Sequence, residues 1–129
     1  VYSHSIDEHI AHVRAVLEMH IRFGMKLNLA KCHVAQRSVE YLGHLVSEKG
    51  IQMIPSYVDR VVKWTMPRTA TELRSFLGFT GYYRSFIPKY GELTVRLNSH
   101  RNDKADIQWT EEEKQDFFNL KEAFRAQPV

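Results

Sequence analysis

Apolar positions along the chain change their period near residue 54, and that change divides the sequence. In the first part, Ile6, Ile10, Val13, Leu17 and Ile21 recur at three and four residues, the stripe of a surface helix. Ser5 caps it with Glu8 three residues on, and Gly24 ends it in a left-handed conformation. Val1-Tyr2-Ser3 reads as a strand-like stub, and Leu27-Asn28 and His33-Val34 as short strands around an Ala30-Lys31 turn. Val39 to Val46 is rich in β-branched and aromatic residues and predicts a strand. Ser47 to Gly50 forms a turn, Ile51 to Met53 returns, and so Tyr41 to Met53 predicts a hairpin. Gly43, inside its first strand, marks a bulge or a close backbone approach.

Beyond Pro55 the pattern is helical throughout. Pro55 opens a helix at an allowed first-turn position, with Val58, Val61, Val62 and the following Trp64 on its apolar side. Met66-Pro67 breaks it. The next helix is predicted over Thr69 to Pro88, capped by Thr69 with Glu72, its buried face carrying Leu73, Phe76, Leu77, Thr80 and Tyr83. Glu92 to Leu97 predicts a short helix and Asn98 to Asp106 a polar loop. The last helix starts at Thr110 with Glu113 and turns Phe117, Leu120 and Phe124 inward. The predicted fold class is α+β, a small hairpin-and-helix part followed by an all-helical part of about three main helices.

Within Thr69 to Pro88 a second row holds Arg74, Gly78 and Tyr82, each four residues from the last. A mid-helix glycine costs roughly 1 kcal/mol relative to alanine, so Gly78 and Gly81 need a physical reason. One is another helix packed against the glycines. The other is a nucleic-acid backbone or shallow groove, with Arg74 offering charge and Tyr82 a flat ring.

Charge bears on that choice. The formal net charge of +3 is unevenly placed: Pro55 to Arg101 carries eight Lys or Arg against three acidic residues, a net of +5. The residues before it carry a net of +1, and those from Asn102 onward a net of −3. Such clustering suits a polyanionic partner through counterion release. The 43% apolar share with 15 aromatic residues fills a core, which excludes a disordered chain. No apolar run approaches the ~18 residues of a membrane span, so neither a membrane nor secretion is expected, and an intracellular location, cytoplasmic or nuclear, is. The single Cys32 permits no internal disulfide and reads as a small buried thiol. Glu8, His9 and His12 have a spacing that a metal could use, but no second ligand pair follows, so no metal site is expected and the histidines read as surface groups. The first residue is Val, and the chain is expected to be part of something longer.

Four motifs then occur in order: Met25-Lys26-Leu27-Asn28-Leu29-Ala30-Lys31-Cys32, Tyr41 to Ile51 (Y-L-G-H-L-V-S-E-K-G-I), Glu72 to Ile87 (E-L-R-S-F-L-G-F-T-G-Y-Y-R-S-F-I) and Trp109 to Glu113 (W-T-E-E-E). In order and spacing they resemble gypsy-type LTR retrotransposon polymerases, over essentially the whole chain. The resemblance implies the later part of a reverse transcriptase from a Pol polyprotein: residues 1–54 the end of the palm with the primer-grip hairpin, 55–127 the thumb, and 128–129 the start of a connection to a downstream module. It implies that Tyr41, Leu42, Gly43 and His44 form the primer grip, and that Arg74, Gly78 and Tyr82 are the groove-facing row of the thumb helix. A polymerase must hold any sequence, so such contacts go to backbone, sugar and groove shape.

The family's catalytic aspartates, which hold two Mg2+ ions, lie in a Tyr-x-Asp-Asp motif that the resemblance places just before Val1. No two aspartates are adjacent in this chain; Asp7, Asp59, Asp103, Asp106 and Asp116 are scattered. No catalytic residue, no metal site and no cofactor is therefore expected in the chain itself, and it is expected to be inactive alone. Val95 to His100 also departs from the family, which has Pro-Leu and an apolar pair there. The implied function is the template–primer (RNA/DNA duplex) binding portion of an RNA-directed DNA polymerase, with the missing polymerase parts or another protein as further partners. The alternative is a domesticated retrotransposon-derived protein-interaction module.

Overall fold

The computed structural model describes residues 1–128. Backbone contacts divide the chain into two compact units, Val1–Val39 and a second that begins at Glu40. The hairpin therefore groups with the helices that follow it in sequence.

The first unit is organised on α1 (Ile6–Arg22). Ser5 Oγ accepts from Glu8 N at 3.2 Å, while Glu8 reaches one residue past the cap to accept from His4 N at 2.7 Å. That backbone bond holds the Glu8 carboxyl below its ordinary range. At the other end, Met25 N donates to His20 O and Gly24 N to Ile21 O, with Gly24 at φ +64. This is a Schellman closure, the left-handed cap the sequence predicts. The segments around Leu27 and His33 are not strands, and neither is Val1 to Ser3. The Asn28 side chain instead accepts from Ala30 N at 3.1 Å and starts a 3₁₀ turn over Leu29–Lys31. A local side-chain bond offered the backbone an alternative to pairing. Cys32 lies in this turn and is exposed, not buried; its Sγ sits 3.3 Å from Asn28 O.

In the sheet, β1 (Ser38–Tyr41), β2 (His44–Ser47) and β3 (Gly50–Met53) lie in that order. The expected single strand over Val39 to Val46 is thus two strands. Leu42 (φ 48) and Gly43 (φ 78) both stand in the left-handed region, the pattern of a type I′ two-residue hairpin loop. Strand propensity read across this turn because Leu42 is a residue that rarely adopts positive φ. β2 and β3 are antiparallel, with His44 opposite Met53 and Ser47 opposite Gly50.

Four helices follow: α2 (Pro55–Val62), α3 (Ala70–Tyr82), α4 (Tyr90–Asn98) and α5 (Glu111–Arg125). Thr69 Oγ1 accepts from Glu72 N, and Glu72 reaches back to Arg68 N at 2.7 Å. Thr110 and Glu113 close a full reciprocal capping box. α3 ends six residues before Pro88. Tyr83 leaves the helical path, a 3₁₀ turn covers Arg84–Phe86, and Lys89 at φ 57 precedes α4. The predicted buried face is the observed one: Leu73, Phe76, Leu77, Thr80 and Tyr83 are all buried. All but Thr80 join Met53, Val58, Val61, Leu97, Phe117, Leu120 and Phe124 in one core, with the Phe76 and Phe117 rings 4.8 Å apart.

Polar ties lock the helices around that core. Trp109 Nε1 donates to Pro67 O at 2.7 Å, and Lys121 Nζ to Trp64 O at 2.8 Å. The region that departs from the family motif is held by charge. Arg96 makes a two-pronged bond to the buried Asp116, at 2.6 and 2.9 Å, and also pairs with Glu112. Leu97 beside it is fully buried.

Candidate nucleic-acid interface

The tight Leu42–Gly43 loop leaves two backbone carbonyls pointing off the sheet, and two tyrosines at the end of α3 take them. Tyr83 Oη donates to Gly43 O at 2.7 Å, and Tyr82 Oη donates to Leu42 O. A tandem Tyr-Tyr at a helix end can do this because the helical path stops there and the two rings part, at 88° to each other. Burial pushes the Tyr83 hydroxyl up to about 12, so it remains a donor at every physiological pH. A Cβ on Gly43 would stand 3.1 Å from Tyr83 Oη and 3.4 Å from the Tyr57 and Tyr82 rings. Gly43 is therefore the close-approach position its sequence context predicts, at a turn and not at a bulge.

His44 completes the junction. Its ring lies 5.2 Å from Tyr82, 5.5 Å from Tyr83 and 5.6 Å from Phe86. Its Nδ1 is 3.1 Å from Leu42 O. Tyr41 and Leu42 themselves stay exposed, and with Val46, Ile51, Ser85 and Phe86 they line an open groove beside Tyr82. The two sets of residues that the sequence singles out, Tyr41 to His44 and the α3 row, are thus in contact through Tyr82.

Along that row the side chains differ in what holds them. Arg74 is exposed; its Nη1 donates to Arg101 O at 2.8 Å and its Nη2 to Thr71 Oγ1 at 3.0 Å. A Cβ on Gly78 would meet nothing within 4 Å. Among the described residues, no helix packs on Gly78. Gly81 is in ordinary contact, its Cβ position 3.5 Å from Tyr90 Oη. Internal packing accounts for neither glycine. The helix presents a bare strip of backbone between Arg74 and Tyr82.

Sequence reasoning missed Tyr83 and Tyr57 as partners of the turn. The adjacent tyrosines carried a signal, since a tyrosine that faces the core still needs an acceptor for its hydroxyl. It also missed His100, whose Nδ1 lies 2.6 Å from Asp103 and whose Nε2 lies 2.9 Å from Glu113. These carboxylates hold the imidazole above its ordinary value. Glu113 is held below its own, first by the Thr110 amide and then by His100. Ahead of α1, Ser3 Oγ lies 2.8 Å from His12 Nδ1 and 3.2 Å from His9 Nδ1. No three His, Cys, Asp or Glu side chains among the described residues converge to hold a metal ion. No helix among them is long and apolar enough to cross a membrane.

No family model matches the chain. Over all 129 residues it is 36% identical to the Transposon Tf2-3 and Tf2-4 polyproteins of Schizosaccharomyces pombe (strain 972), and it spans 10% of each. Its fold matches that of the foamy viral protease-reverse transcriptase in complex with double-stranded DNA, at a TM-score of 0.87 and 24% identity, covering 98% of this chain and 23% of that one. The same viral protein in complex with an RNA/DNA hybrid matches at 0.84 and 24%, covering 98% of this chain and 18% of that one. At this identity the likeness to the viral protein is one of fold.

Proposed function

We propose that this chain, a relative of gypsy-type retrotransposon polyproteins along its whole length, is the template–primer binding portion of a reverse transcriptase. In this reading residues 1–54 are the end of the palm, 55–127 the thumb, and 128–129 the start of a connection. Tyr41, Leu42, Gly43 and His44 form the primer grip. Arg74, Gly78 and Tyr82 face the groove of an RNA/DNA duplex. Polymerisation belongs to a longer protein whose aspartates hold Mg2+, and the chain alone is inactive.

The observation that carries the reading is the bare Gly78 strip, continuous through Tyr82 with the Leu42–Gly43 turn. A helix gives up stability at a glycine, and the described fold takes no packing advantage of it there. A backbone or sugar edge from outside would. The two tyrosine hydroxyls couple the turn to the helix, so a duplex held by one is in register with the other. The test is binding to an RNA–DNA hybrid across a salt series, comparing the wild type with an Arg74→Glu, Tyr82→Ala double variant. A large loss of affinity is expected; unchanged affinity removes the groove assignment.

A second reading, a domesticated protein-interaction module, has its own observation: Ile6, Ile10 and Ile21 of the α1 stripe are exposed, up to 81% at Ile21. Failure to bind nucleic acid at low salt, together with a stable co-purifying protein complex, would favour it.

A further inference from the structure

Arginines from Pro55 onward fall into three groups, by whether the guanidinium meets a carboxylate, an aromatic ring or neither. Arg68 pairs with Asp106, Arg96 with Asp116 and Glu112, and Arg125 with Glu122. Arg60 lies over the Trp64 and Phe79 rings, at 5.4 and 4.8 Å from their centroids. Arg74, Arg84 and Arg101 have no carboxylate partner among the described residues. Arg74 bonds only neutral oxygens, and Arg101 has only Asn98 Oδ1 at 3.4 Å. Asp103, the nearest acid along the chain from Arg101, is taken up by His100.

These three come from different elements, and the fold gathers them. Arg74 Nη1 bonds the Arg101 carbonyl, which fastens the loop after α4 to the side of α3. Tyr90 Oη stands 3.5 Å from where a Gly81 Cβ would be and shares a 2.9 Å bond with Thr80. The charges of Arg101 and Arg84 both act on that hydroxyl, opposing the rise that burial imposes on it. Arg101 is thus tied to α3 through Arg74, and Arg84 follows Tyr82 and Tyr83 in the 3₁₀ turn whose Ser85 and Phe86 line the groove beside Tyr82; all three arginines are exposed. Exposed positive groups on neighbouring elements, left without counter-charge, repel one another, and an anion relieves that repulsion. Guanidinium forks suit phosphate oxygens in particular.

We propose that Arg84 and Arg101, the latter held beside α3 by Arg74, form a phosphate-binding rim that grips the sugar–phosphate backbone of the duplex lying on the Gly78 strip. This rests on the duplex-binding reading above and adds two residues to it. Arg101 acts through its side chain, while its carbonyl keeps Arg74 in place. The Arg101→Gln variant therefore removes the charge and leaves the tether intact.

The experiment measures binding of the chain to an RNA–DNA hybrid from low to moderate salt, for wild type, Arg84→Gln, Arg101→Gln, the double variant and Arg125→Gln. Each rim substitution is expected to weaken binding at low salt and to make the log–log salt slope shallower by about 0.9. Arg125→Gln, already neutralised by Glu122, should leave the slope unchanged. A double Arg→Lys variant should restore most of the slope, since charge is what salt reads. A double Gln variant with the wild-type slope overturns the rim and leaves the duplex reading standing. A wild type that does not bind the hybrid at low salt overturns both.

Discussion

The two units carry local signals of equal quality and reach opposite ends of burial. In the first, α1 has a side-chain cap, acidic residues in its first turn, basic ones in its last and a Schellman closure, yet none of its residues is buried. In the second, α3 has a weaker amphipathic pattern and two internal glycines, yet buries five residues. Helix formation and core formation are therefore separate facts about this chain. Caps and charge placement are worth about 0.5–2 kcal/mol each and fix where a helix begins and stops. Burial of apolar area, about 25 cal/mol per Å², decides whether the helix contributes to a folded core.

The largest test of that contrast is truncation in the core against truncation on the stripe. Phe76→Ala should cost about 3–5 kcal/mol by urea denaturation, because the side chain is fully buried among Trp64 and Phe117. Leu17→Ala, 42% exposed, should cost about 0.5 kcal/mol or less. Equal costs would break the comparison.

Next is the turn. Gly43→Ala should destabilise by about 1–2 kcal/mol, combining positive φ with a methyl 3.1 Å from Tyr83 Oη. Tyr83→Phe keeps the ring and loses the bond to Gly43 O, about 1 kcal/mol, and should speed amide exchange across 41–44. A turn whose exchange is unchanged by that substitution would mean the strands alone hold it.

Gly78→Ala runs the other way. With open space around the new methyl, thermal stability should rise by up to about 1 kcal/mol while affinity for an RNA–DNA hybrid falls. Stability and affinity rising together would remove the strip from the interface.

The smallest effect is electrostatic. The His100 contribution is fully present below pH 6.5, because its folded value lies above that, and is lost as pH rises through the folded value. The Glu113 contribution is present above pH 4.5 and fades as pH falls through its lowered folded value. Both act together between about 4.5 and 6.5, so Tm should fall on the alkaline side of that window. His100→Gln should flatten that decline.

Much of this was legible in the residues. Capping signals placed the starts of α1, α3 and α5, and threefold and fourfold spacing identified Leu73, Phe76, Leu77, Thr80 and Tyr83 as the buried face. These are local properties, set by backbone amides and side chains within about one turn of each other. The four motifs also identified the relatives. What the chain could not display one-dimensionally was the contact between residues 40 apart: Leu42 and Gly43 with Tyr82 and Tyr83. The expected strand is interrupted there by a turn whose two carbonyls accept from donors 40 residues away. The short strands expected at Leu27 and His33 failed for the converse reason, since Asn28 satisfied the backbone locally. Sequence determined where helices start and which faces are apolar. Only the tertiary structure decided which apolar face found a core, which glycine was crowded and which was bare, and which arginines kept their charge unmatched. Those outcomes depend on atoms brought together from distant parts of the chain.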